Sequence, residues 1–504
     1  MRSQNKKEKR KLIRHGSLGK SIHVPRLNGD PLPLHTLKSF SRAAMVGDLR
    51  SVKIIEICRV APPTAEDSPA PSSSLPLTFF DILWLRFHPI QRLFFYELSS
   101  TDTSFLDAIV PNLKSSLALA LRHYLPLAGN LVWPKGSTGP TVEFVEGDGV
   151  LLTVAESDAD FYHLSGNGFR EVTQYHPLVS QLSVFNDRAA VIAIQVTSLQ
   201  NRGFSIGITN HHAIMDGRTV TSFVKTWARI CNLGGSSPIP TIEAMPFYDR
   251  SVIDDAAGLS AIYANVWQNL EGPNNRSLNL KLPKTPPGLI RCTLEFTRKN
   301  LQKLRQWVLK KRENNEENDH HVSSFALATA YLCVCTAKSE GLSDGKFVFA
   351  FAADARSRLK PPVPLNYFGN CLVAGFVLLE RSELLGENGI VVASEAISEA
   401  IRNLGETALK GAETWCSSMA AMTSDYSQPK GIISISGSPR FEVYSADFGW
   451  GKPRKVEIAS AESSSVFSLS DTPNGDGGIE IGVVRERNEM ENFVALFGKG
   501  FECL

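Results

Sequence analysis

The chain has 504 residues, of which 43% are hydrophobic and 21% charged, and its 53 basic and 51 acidic residues give a net charge of +2. These values are typical of a globular protein with two large domains or three small ones. They exclude a wholly disordered chain, a coiled coil and a collagen-like protein.

The charge is concentrated at the amino terminus. Residues 1–50 carry 12 Lys and Arg against three acids, a local charge of +9, so the rest of the chain, with 41 basic and 48 acidic residues, has a charge of −7. We interpret residues 1–44 as a disordered basic extension, because blocks of like charge are usually solvated tails. A nuclear or nucleic-acid signal at residues 6–11 and an organelle transit peptide stay open as alternatives, and Met45 is an alternative start.

The first half of the body alternates strand and helix patterns. Residues 52–57 and 204–209 predict strands, and the apolar run at 189–197 predicts a strand buried on both faces. Apolar residues spaced close to 3.6 predict a helix over 113–124, and a second helix begins at Thr219. We assign residues 45–231 to an N-terminal domain.

The second half begins after a segment that has little periodicity. Residues 232–290 are rich in Gly, Pro, Asn and Ser, which indicates a crossover linker between two domains. Residues 291–504 are assigned to a C-terminal domain. In that domain the pattern predicts helices over 300–310, 323–335 and 394–415, and a buried strand over 346–353. It also predicts a hairpin strand over 479–484, after the turn at 473–477, and a terminal helix from residue 488. The fold class is therefore α/β with large mixed sheets.

Cysteine usage and hydropathy limit the compartment. The eight cysteines include no paired Cys-x-x-Cys sites of the zinc type, so we expect buried free thiols in a reducing compartment. No run of about 18 uncharged apolar residues predicts a membrane span, and the amino terminus lacks the apolar segment of a secretory signal. We therefore expect a cytosolic protein without a metal site.

One local motif is typical of catalytic loops. His211 and His212 lie between a predicted strand and a predicted helix, followed four residues after the second by Asp216 and then Gly217. Histidine is the commonest general base because its ordinary pKa lies near neutrality, and the carboxylate could orient the ring or fix the loop. The competing interpretation is a pair of ordinary histidines in a turn.

A second motif competes with the histidine. Residues 203–207, Gly-Phe-Ser-Ile-Gly, match the nucleophile elbow of serine hydrolases, with Ser205 as the nucleophile. That elbow needs a helix directly after the serine. The strand pattern instead continues through Ser205, so we interpret the match as chance and keep a serine hydrolase only as an alternative.

Two further segments contain candidate support residues. Residues 447–451 read Asp-Phe-Gly-Trp-Gly, and taken alone they predict a turn capped by Asp447. Arg356 follows the predicted strand at 346–353, where a fixed ion pair with a carboxylate and a solvated strand end are both reasonable.

Together, the motif from His212 to Gly217 and the motif at 447–451 resemble the two signatures of the plant BAHD acyltransferases. The resemblance runs from about residue 52 to the carboxyl terminus and includes Leu-Pro-Leu-Thr-Phe-Phe-Asp at 75–81 and Tyr-Leu-Pro-Leu-Ala-Gly at 124–129. Tyr-Phe-Gly-Asn-Cys at 367–371 and Pro-Phe-Tyr-Asp-Arg-Ser at 246–251 are similar to the branch that acylates anthocyanins and other phenolic glycosides.

The resemblance implies a two-domain chloramphenicol acetyltransferase-like fold with a central solvent channel. It implies that acyl-CoA is a co-substrate, with no bound cofactor, and that the protein is a monomer. We expect no nucleic-acid partner and no membrane span. Carried over by position, His212 is the general base toward a sugar hydroxyl, and Asp216 pairs with an arginine, for which Arg356 is the candidate. Asp447 is the second candidate catalytic residue, although the family keeps its motif away from the reacting atoms. The remaining implied residues are Gly217, Gly449 and Trp450 for support of the site, and Ser323 and Ser324 for contact with CoA.

The expected acyl donor follows from one position at which this sequence differs from a branch of the family. The shikimate- and quinate-acylating branch has a Trp nine residues before the Asp of the second motif, and this chain has Ser438 there. That difference fits the glycoside branch, so we expect malonyl transfer to a phenolic, flavonoid or anthocyanin glycoside. Hydroxycinnamoyl-CoA is the alternative donor, and a non-catalytic binding protein is a remoter alternative.

Overall fold

A computed structural model of the chain describes residues 52–63, 73–98, 104–185, 187–200, 202–234, 245–280, 282–283, 285–312, 322–405, 408–424 and 430–502. All of them belong to one structural unit, residues 50–504. The predicted basic extension at residues 1–44 and the alternative start at Met45 lie outside the described residues.

Seventeen strands are present in the described residues. In chain order they are β1 Val52–Val60, β2 Ser73–Pro76, β3 Ile90–Glu97, β4 Asn130–Val132, β5 Thr141–Phe144, β6 Val150–Ser157, β7 Arg170–Glu171, β8 Arg188–Ala190, β9 Ile192–Leu199, β10 Gly203–Asn210, β11 Leu289–Phe296, β12 Lys346–Asp354, β13 Leu372–Glu380, β14 Ile432–Gly437, β15 Lys455–Ile458, β16 Val466–Ser470 and β17 Ile479–Glu486.

Twelve α-helices are present in the same part of the chain. They are α1 Phe79–Ile82, α2 Val110–His123, α3 Leu125–Ala128, α4 Phe161–Leu164, α5 Gly217–Asn232, α6 Leu259–Asn269, α7 Arg298–Arg312, α8 Ser324–Glu340, α9 Arg381–Leu385, α10 Gly389–Asn403, α11 Trp415–Ser424 and α12 Arg487–Glu502.

The strands form three sheets, two of which are large and mixed. One has six strands in the order β1-β6-β9-β10-β3-β15, with β6 and β9 parallel. Another has seven strands in the order β13-β12-β14-β16-β17-β11-β7, with parallel pairs on both sides of β14. The third is the four-stranded sheet β2-β5-β4-β8. These mixed sheets with helices packed on them match the predicted α/β class.

The two large sheets exchange strands. β15, from the last fifty residues of the chain, pairs with β3 in the six-stranded sheet. β7, from the first half, pairs with β11 in the seven-stranded sheet. The two halves are therefore interlocked, while the domain boundaries at 231 and 291 stay a prediction.

Helix burial follows from sequence spacing. The buried face of α5 comprises Val220, Phe223, Val224 and Trp227, at intervals of three and four residues. The indole Nε1 of Trp227 donates a hydrogen bond to the Leu113 carbonyl on α2, which joins the two helices. α8 is apolar on nearly every side and almost fully buried, as expected of a helix inside a large core.

Most of the predicted elements are confirmed. β10, α5, α7, α8, β12 and α12 lie within a few residues of the predicted bounds. The predicted hairpin is also present, because β16 and β17 pair antiparallel across the turn at 473–477.

Three sequence predictions are wrong in detail. The single strand over 189–197 is two strands, β8 and β9, which belong to different sheets, since β8 pairs with β4 whereas β9 pairs with β6 and β10. The helix over 394–415 ends at Asn403, and a separate helix, α11, starts at Trp415. Residues 232–290, for which the sequence indicates little periodicity, contain α6, whose buried Leu259, Tyr263 and Trp267 are spaced four residues apart, while their role as a crossover linker stays a prediction.

Within the described residues, no helix is both long and apolar enough to cross a membrane.

Candidate active site

His212 lies in a short turn between a buried strand and a helix. β10 is buried along its whole length and ends at Asn210, and α5 begins at Gly217. Asp216 is the N-cap of α5, since its Oδ1 accepts a hydrogen bond from the Thr219 amide at 2.9 Å. The turn is therefore anchored at both ends by regular structure.

Asp216 and Arg356 form a buried ion pair, as the family resemblance leads us to expect. Arg356 Nη1 lies 2.8 Å from Asp216 Oδ2, and both side chains are at most 1% exposed. Burial alone would lower the pKa of Arg356, but Asp216 and Asp354 together raise it above its usual value. Arg356 Nη2 also donates to the carbonyls of Tyr367 and Gly369, at 3.0 and 3.1 Å. This pair ties the His212 turn to the end of β12 and to the loop before β13.

The backbone at His212 is held by a second buried carboxylate. Asn370 Nδ2 donates to the His212 carbonyl at 2.8 Å. The Asn370 backbone amide donates in turn to Asp81 Oδ1 at 2.7 Å, and its Nδ2 lies 3.1 Å from the same oxygen. Asp81 and Asn370 are both fully buried. Three distant segments of the chain thus meet at His212.

The imidazole of His212 lies between two aromatic rings. Trp84 stacks on it with ring centroids 4.1 Å apart and an interplanar angle of 10°. The Phe87 ring meets it edge to face at 5.3 Å and 88°. The ring nitrogen Nδ1 is buried and has no hydrogen-bond partner among the described residues.

His212 is uncharged at neutral pH. Burial lowers its pKa to about 4 and His88 acts in the same direction, while interactions with its own backbone, with Asp216 and with Asn370 act in the opposite direction. His211 is also uncharged, because burial lowers its pKa to about 3. Its Nδ1 accepts a hydrogen bond from the Ala213 amide at 3.2 Å, so His211 supports the turn. His212 is therefore in the protonation state that a general base requires.

Gly217 allows a close approach to the second half of the chain. A Cβ at this position would lie 2.5 Å from Cε2 of Phe441, which is closer than side-chain carbons pack. Phe441 ends a single helical turn, Pro439–Phe441, capped by Ser438, whose Oγ accepts from the Arg440 amide. Ser438 thus shapes the segment that packs against the start of α5.

Asp447 organises a loop at the opposite end of α5. Its Oδ1 accepts hydrogen bonds from the amides of Gly449 and Gly451, at 2.8 and 3.0 Å. Gly449 has a φ of +104°, which favours glycine. The Asp447 carbonyl faces Asn232, the last residue of α5, whereas Asp216 caps its first turn. Sixteen helical residues span about 24 Å, so the structure does not bring Asp447 to His212.

The loop that Asp447 caps is packed by aromatic rings. Phe448 meets Trp227 edge to face at 4.8 Å and Tyr96 at 5.6 Å. Trp450 meets Phe204 edge to face at 5.6 Å. The motif therefore joins the loop to α5, β3 and β10, which is a supporting role.

Replacing Asp447 by Ala is expected to lower stability by about 1–2 kcal/mol, because two backbone amides lose their acceptor. Asp447→Asn keeps an acceptor oxygen and should retain most of kcat. The melting temperature and kcat of both variants check this. If the Asp447→Asn variant is folded but its kcat is lower by about a hundredfold or more, the Asp447 carboxylate takes part in catalysis.

Ser205 lies in the middle of a strand, not in a nucleophile elbow. β10 continues five residues beyond it, and the side chain is fully buried with no hydrogen-bond partner for Oγ in the described residues. α5 begins only at Gly217. The structural context that a hydrolase serine needs is absent at this position.

Ser323 and Ser324 begin α8 at the edge of a basic cavity. Ser323 is the N-cap, and its Oγ accepts from the Ala326 amide at 3.1 Å. Arg305 Nη2 lies 3.3 Å from Ser324 Oγ. The cavity is lined by Arg298, Leu301, Gln302, Arg305, Ser324 and the hairpin turn Gly475, Asp476 and Gly477. Two guanidinium groups and a helix N-terminus are groups that bind phosphate.

Sequence reasoning assigned no role to Asp81, Trp84 or Asn370. Asp81 lies in the run at 75–81 and Asn370 in the run at 367–371, and both runs carry the resemblance to the family. The hydrogen bond between these two residues spans 289 residues of sequence and could not be predicted from either run.

The described residues contain no group of three or more His, Cys, Asp or Glu side chains placed to hold a metal ion.

Comparison with known proteins identifies close relatives in sequence. A model described as the Transferase family matches residues 51–498. Phenolic glucoside malonyltransferase 1 of Arabidopsis thaliana is 38% identical over 469 residues, which cover 90% of this chain and 98% of the relative. Malonyl-CoA:anthocyanidin 5-O-glucoside-6''-O-malonyltransferase of the same plant is 36% identical over 468 residues, 91% of this chain and 100% of the relative.

A solved structure shares the fold. The crystal structure of vinorine synthase matches with a TM-score of 0.63 at 19% sequence identity, covering 88% of this chain and 98% of that chain. The predicted α/β, chloramphenicol acetyltransferase-like fold is thereby confirmed.

Proposed function

Because the chain belongs to the Transferase family, the BAHD acyltransferases, we propose that it moves a malonyl group from malonyl-CoA to a sugar hydroxyl of a phenolic or flavonoid glucoside. The observation that carries the choice of substrates is its likeness, at 36–38% identity over nearly full length, to two glucoside malonyltransferases. An uncharged His212 held in a rigid turn supports the chemistry.

In the proposed reaction His212 is the general base. It takes the proton from the sugar hydroxyl as the oxygen attacks the thioester carbonyl of malonyl-CoA. The tetrahedral intermediate collapses, the carbon–sulfur bond breaks, and the CoA sulfur takes the proton from His212. The two substrates meet at His212 in a solvent channel, and no acyl group is attached to the protein. The burial of Ser205 supports direct transfer.

We propose that the CoA phosphates bind at α7 and the start of α8. α7 contains seven cations and no acid, namely Arg298, Lys299, Lys303, Arg305, Lys310, Lys311 and Arg312. Its last turn is partly neutralised, since Lys311 and Arg312 pair with Glu387 and Glu395. Arg298 and Arg305 line the cavity beside Ser324 and are the groups assigned to the phosphates. Arg298 also interacts electrostatically with Asp476, which lines the same cavity.

Replacing Arg298 or Arg305 by Ala is expected to raise the KM for malonyl-CoA by about tenfold or more, because a charge-assisted hydrogen bond is lost. kcat should change little. Steady-state kinetics with the donor varied check this, and Lys310→Ala, an exposed cation near the other end of the same helix, is the matched control. Both arginine variants keeping the original KM would contradict this donor site.

The proposed function is tested with a panel of donors and acceptors. Malonyl-CoA, p-coumaroyl-CoA and acetyl-CoA are each incubated with phenolic glucosides and flavonoid glucosides, and with the matching aglycones as controls. We expect mass spectrometry to detect a malonylated glucoside and no acylated aglycone. No product from any pair, or acylation of the aglycones, would overturn the proposal.

We also propose that the protein acts as a monomer in the cytosol. Six of the seven described cysteines are buried, and burial raises the pKa of their thiols, which suits stable free thiols in a reducing compartment. Light scattering on the purified protein tests the monomer. Fluorescent fusions of residues 1–504 and 45–504 test the compartment and whether residues 1–44 alter it.

A further inference from the structure

The His212 ring has no carboxylate to orient it. A histidine base is commonly fixed by a hydrogen bond from its second ring nitrogen to an acid. Here Asp216 is fully engaged, with Oδ1 on the Thr219 amide and Oδ2 on Arg356. Nδ1 of His212 is buried and has no partner among the described residues. The plane of the ring is therefore not fixed by a carboxylate, and the aromatic rings packed against it restrict its orientation.

We propose that Trp84 is the positioning residue of the base, holding the His212 imidazole by stacking of the indole on its face. This proposal rests on the proposed function for the role of His212. The stack is almost parallel, at 10° and 4.1 Å between centroids. Phe87 closes a second side at 88° and also meets Trp84 edge to face at 5.2 Å. The three rings form one rigid cluster, in which His212 cannot turn without displacing an aromatic side chain.

α1 and the turn that follows it contact both the backbone and the ring of His212. Asp81 on α1 holds Asn370, which donates to the His212 carbonyl. Trp84 follows Asp81 by three residues, in the turn that leaves α1, and its amide donates to the Asp81 carbonyl at 3.0 Å. Asp81 also accepts from the Thr78 amide, which closes the first turn of α1. α1, through Asp81, therefore sets where the histidine lies, and the turn after α1, through Trp84, sets how its ring is oriented.

The stacking also affects the charge of the ring. The titratable groups that act on His212 are His88, which disfavours its protonation, and Asp216, which favours it, while His212 itself disfavours protonation of the adjacent His211. Burial is the largest influence, and the indole covers one face of the ring. Removal of the indole admits water, so the pKa of His212 rises toward its ordinary value. Because the neutral ring is the active form, the acid limb of kcat/KM then moves to higher pH.

The experiment compares Trp84→Leu and Trp84→Phe with Trp133→Phe. Trp133 is also a tryptophan, but it is almost fully buried in the core against Arg276, away from His212. We expect Trp84→Leu to lower kcat about 10- to 100-fold with little change in KM, and to move the acid limb upward. Trp84→Phe should lower kcat by a smaller factor and also move the acid limb upward. Trp133→Phe should change neither kcat nor the acid limb. Melting temperatures show which variants are folded.

A second readout needs no substrate. The imidazole signals of histidine-labelled protein are followed by NMR against pH, with the His212 signal identified from its loss in His212→Gln. We expect the His212 signal to stay that of a neutral ring down to about pH 5 in the unaltered protein, and to titrate at higher pH in Trp84→Leu or Trp84→Phe. If the Trp84 variants keep the original titration and kcat, or if Trp133→Phe changes them equally, Trp84 has no such role. If the unaltered protein has no acyltransferase activity but His212 titrates as expected in it and in the Trp84 variants, the result counts against the proposed function and not against the role of Trp84.

Discussion

Replacing His212 by Gln is expected to lower kcat by about 10²- to 10⁴-fold, the contribution typical of a general base. Glutamine fills a similar volume but cannot take up the hydroxyl proton and pass it to the departing sulfur. The KM values for both substrates should change little, because the change affects proton transfer rather than binding. Steady-state kinetics with malonyl-CoA and an active glucoside measure the effect.

The neighbouring histidine is the matched control. His211 is fully buried and its Nδ1 holds the Ala213 amide, so His211→Gln should affect the melting temperature more than the chemistry. His212→Gln within tenfold of the original kcat would remove His212 from its proposed role. If folded His211→Gln lost more of kcat than folded His212→Gln, the general base would be His211 and not His212.

Replacing Asp216 by Ala is expected to lower stability by about 3–5 kcal/mol, since it leaves the buried guanidinium of Arg356 without its main partner. The same change removes the N-cap of α5, which adds to the loss. The His212 turn should then shift, so kcat falls as well. Urea unfolding gives the stability, and activity is measured on the folded fraction.

A more exposed ion pair of the same type provides the control. Arg218 pairs with Asp354 at 2.7 Å, but these side chains are 37% and 29% exposed. Arg218→Met should therefore cost at most about 1 kcal/mol. A stable Asp216→Ala variant with normal activity would contradict the supporting role of the Asp216–Arg356 pair.

The parts of the site that local sequence determines could be predicted. The apolar run of β10 and the spacing of α5 identified the strand and the helix that enclose His212. The hairpin of β16 and β17 followed from its Asn-Gly turn. In each case the prediction depends on the spacing of apolar residues or on turn residues within about twenty residues of sequence.

Contacts between distant segments could not be predicted in the same way. Nothing in the sequence near Asp81 shows that its partner is Asn370, because that contact depends on the packing of two separate elements. The stack of Trp84 on His212 has the same origin. α6 was missed because the Pro- and Gly-rich composition around it concealed a four-residue spacing of buried residues.

The two family motifs therefore act at opposite ends of one helix. The turn from His212 to Asp216 leads into α5, and the loop capped by Asp447 packs at its far end. Both motifs fix α5 relative to the sheets, and only the first carries a group suited to proton transfer. This separation predicts that the second motif supports the site and takes no part in the chemistry.

The central claim is direct transfer of an acyl group from CoA to a glucoside, and labelled donor tests it most directly. The protein is incubated with malonyl-CoA carrying a radioactive malonyl group, first alone and then with an accepted phenolic glucoside. The account predicts no label on the protein in the first mixture and labelled glucoside in the second, with His212→Gln greatly slowing its formation. Label bound to the protein before acceptor is added, or unlabelled glucoside throughout, would contradict it.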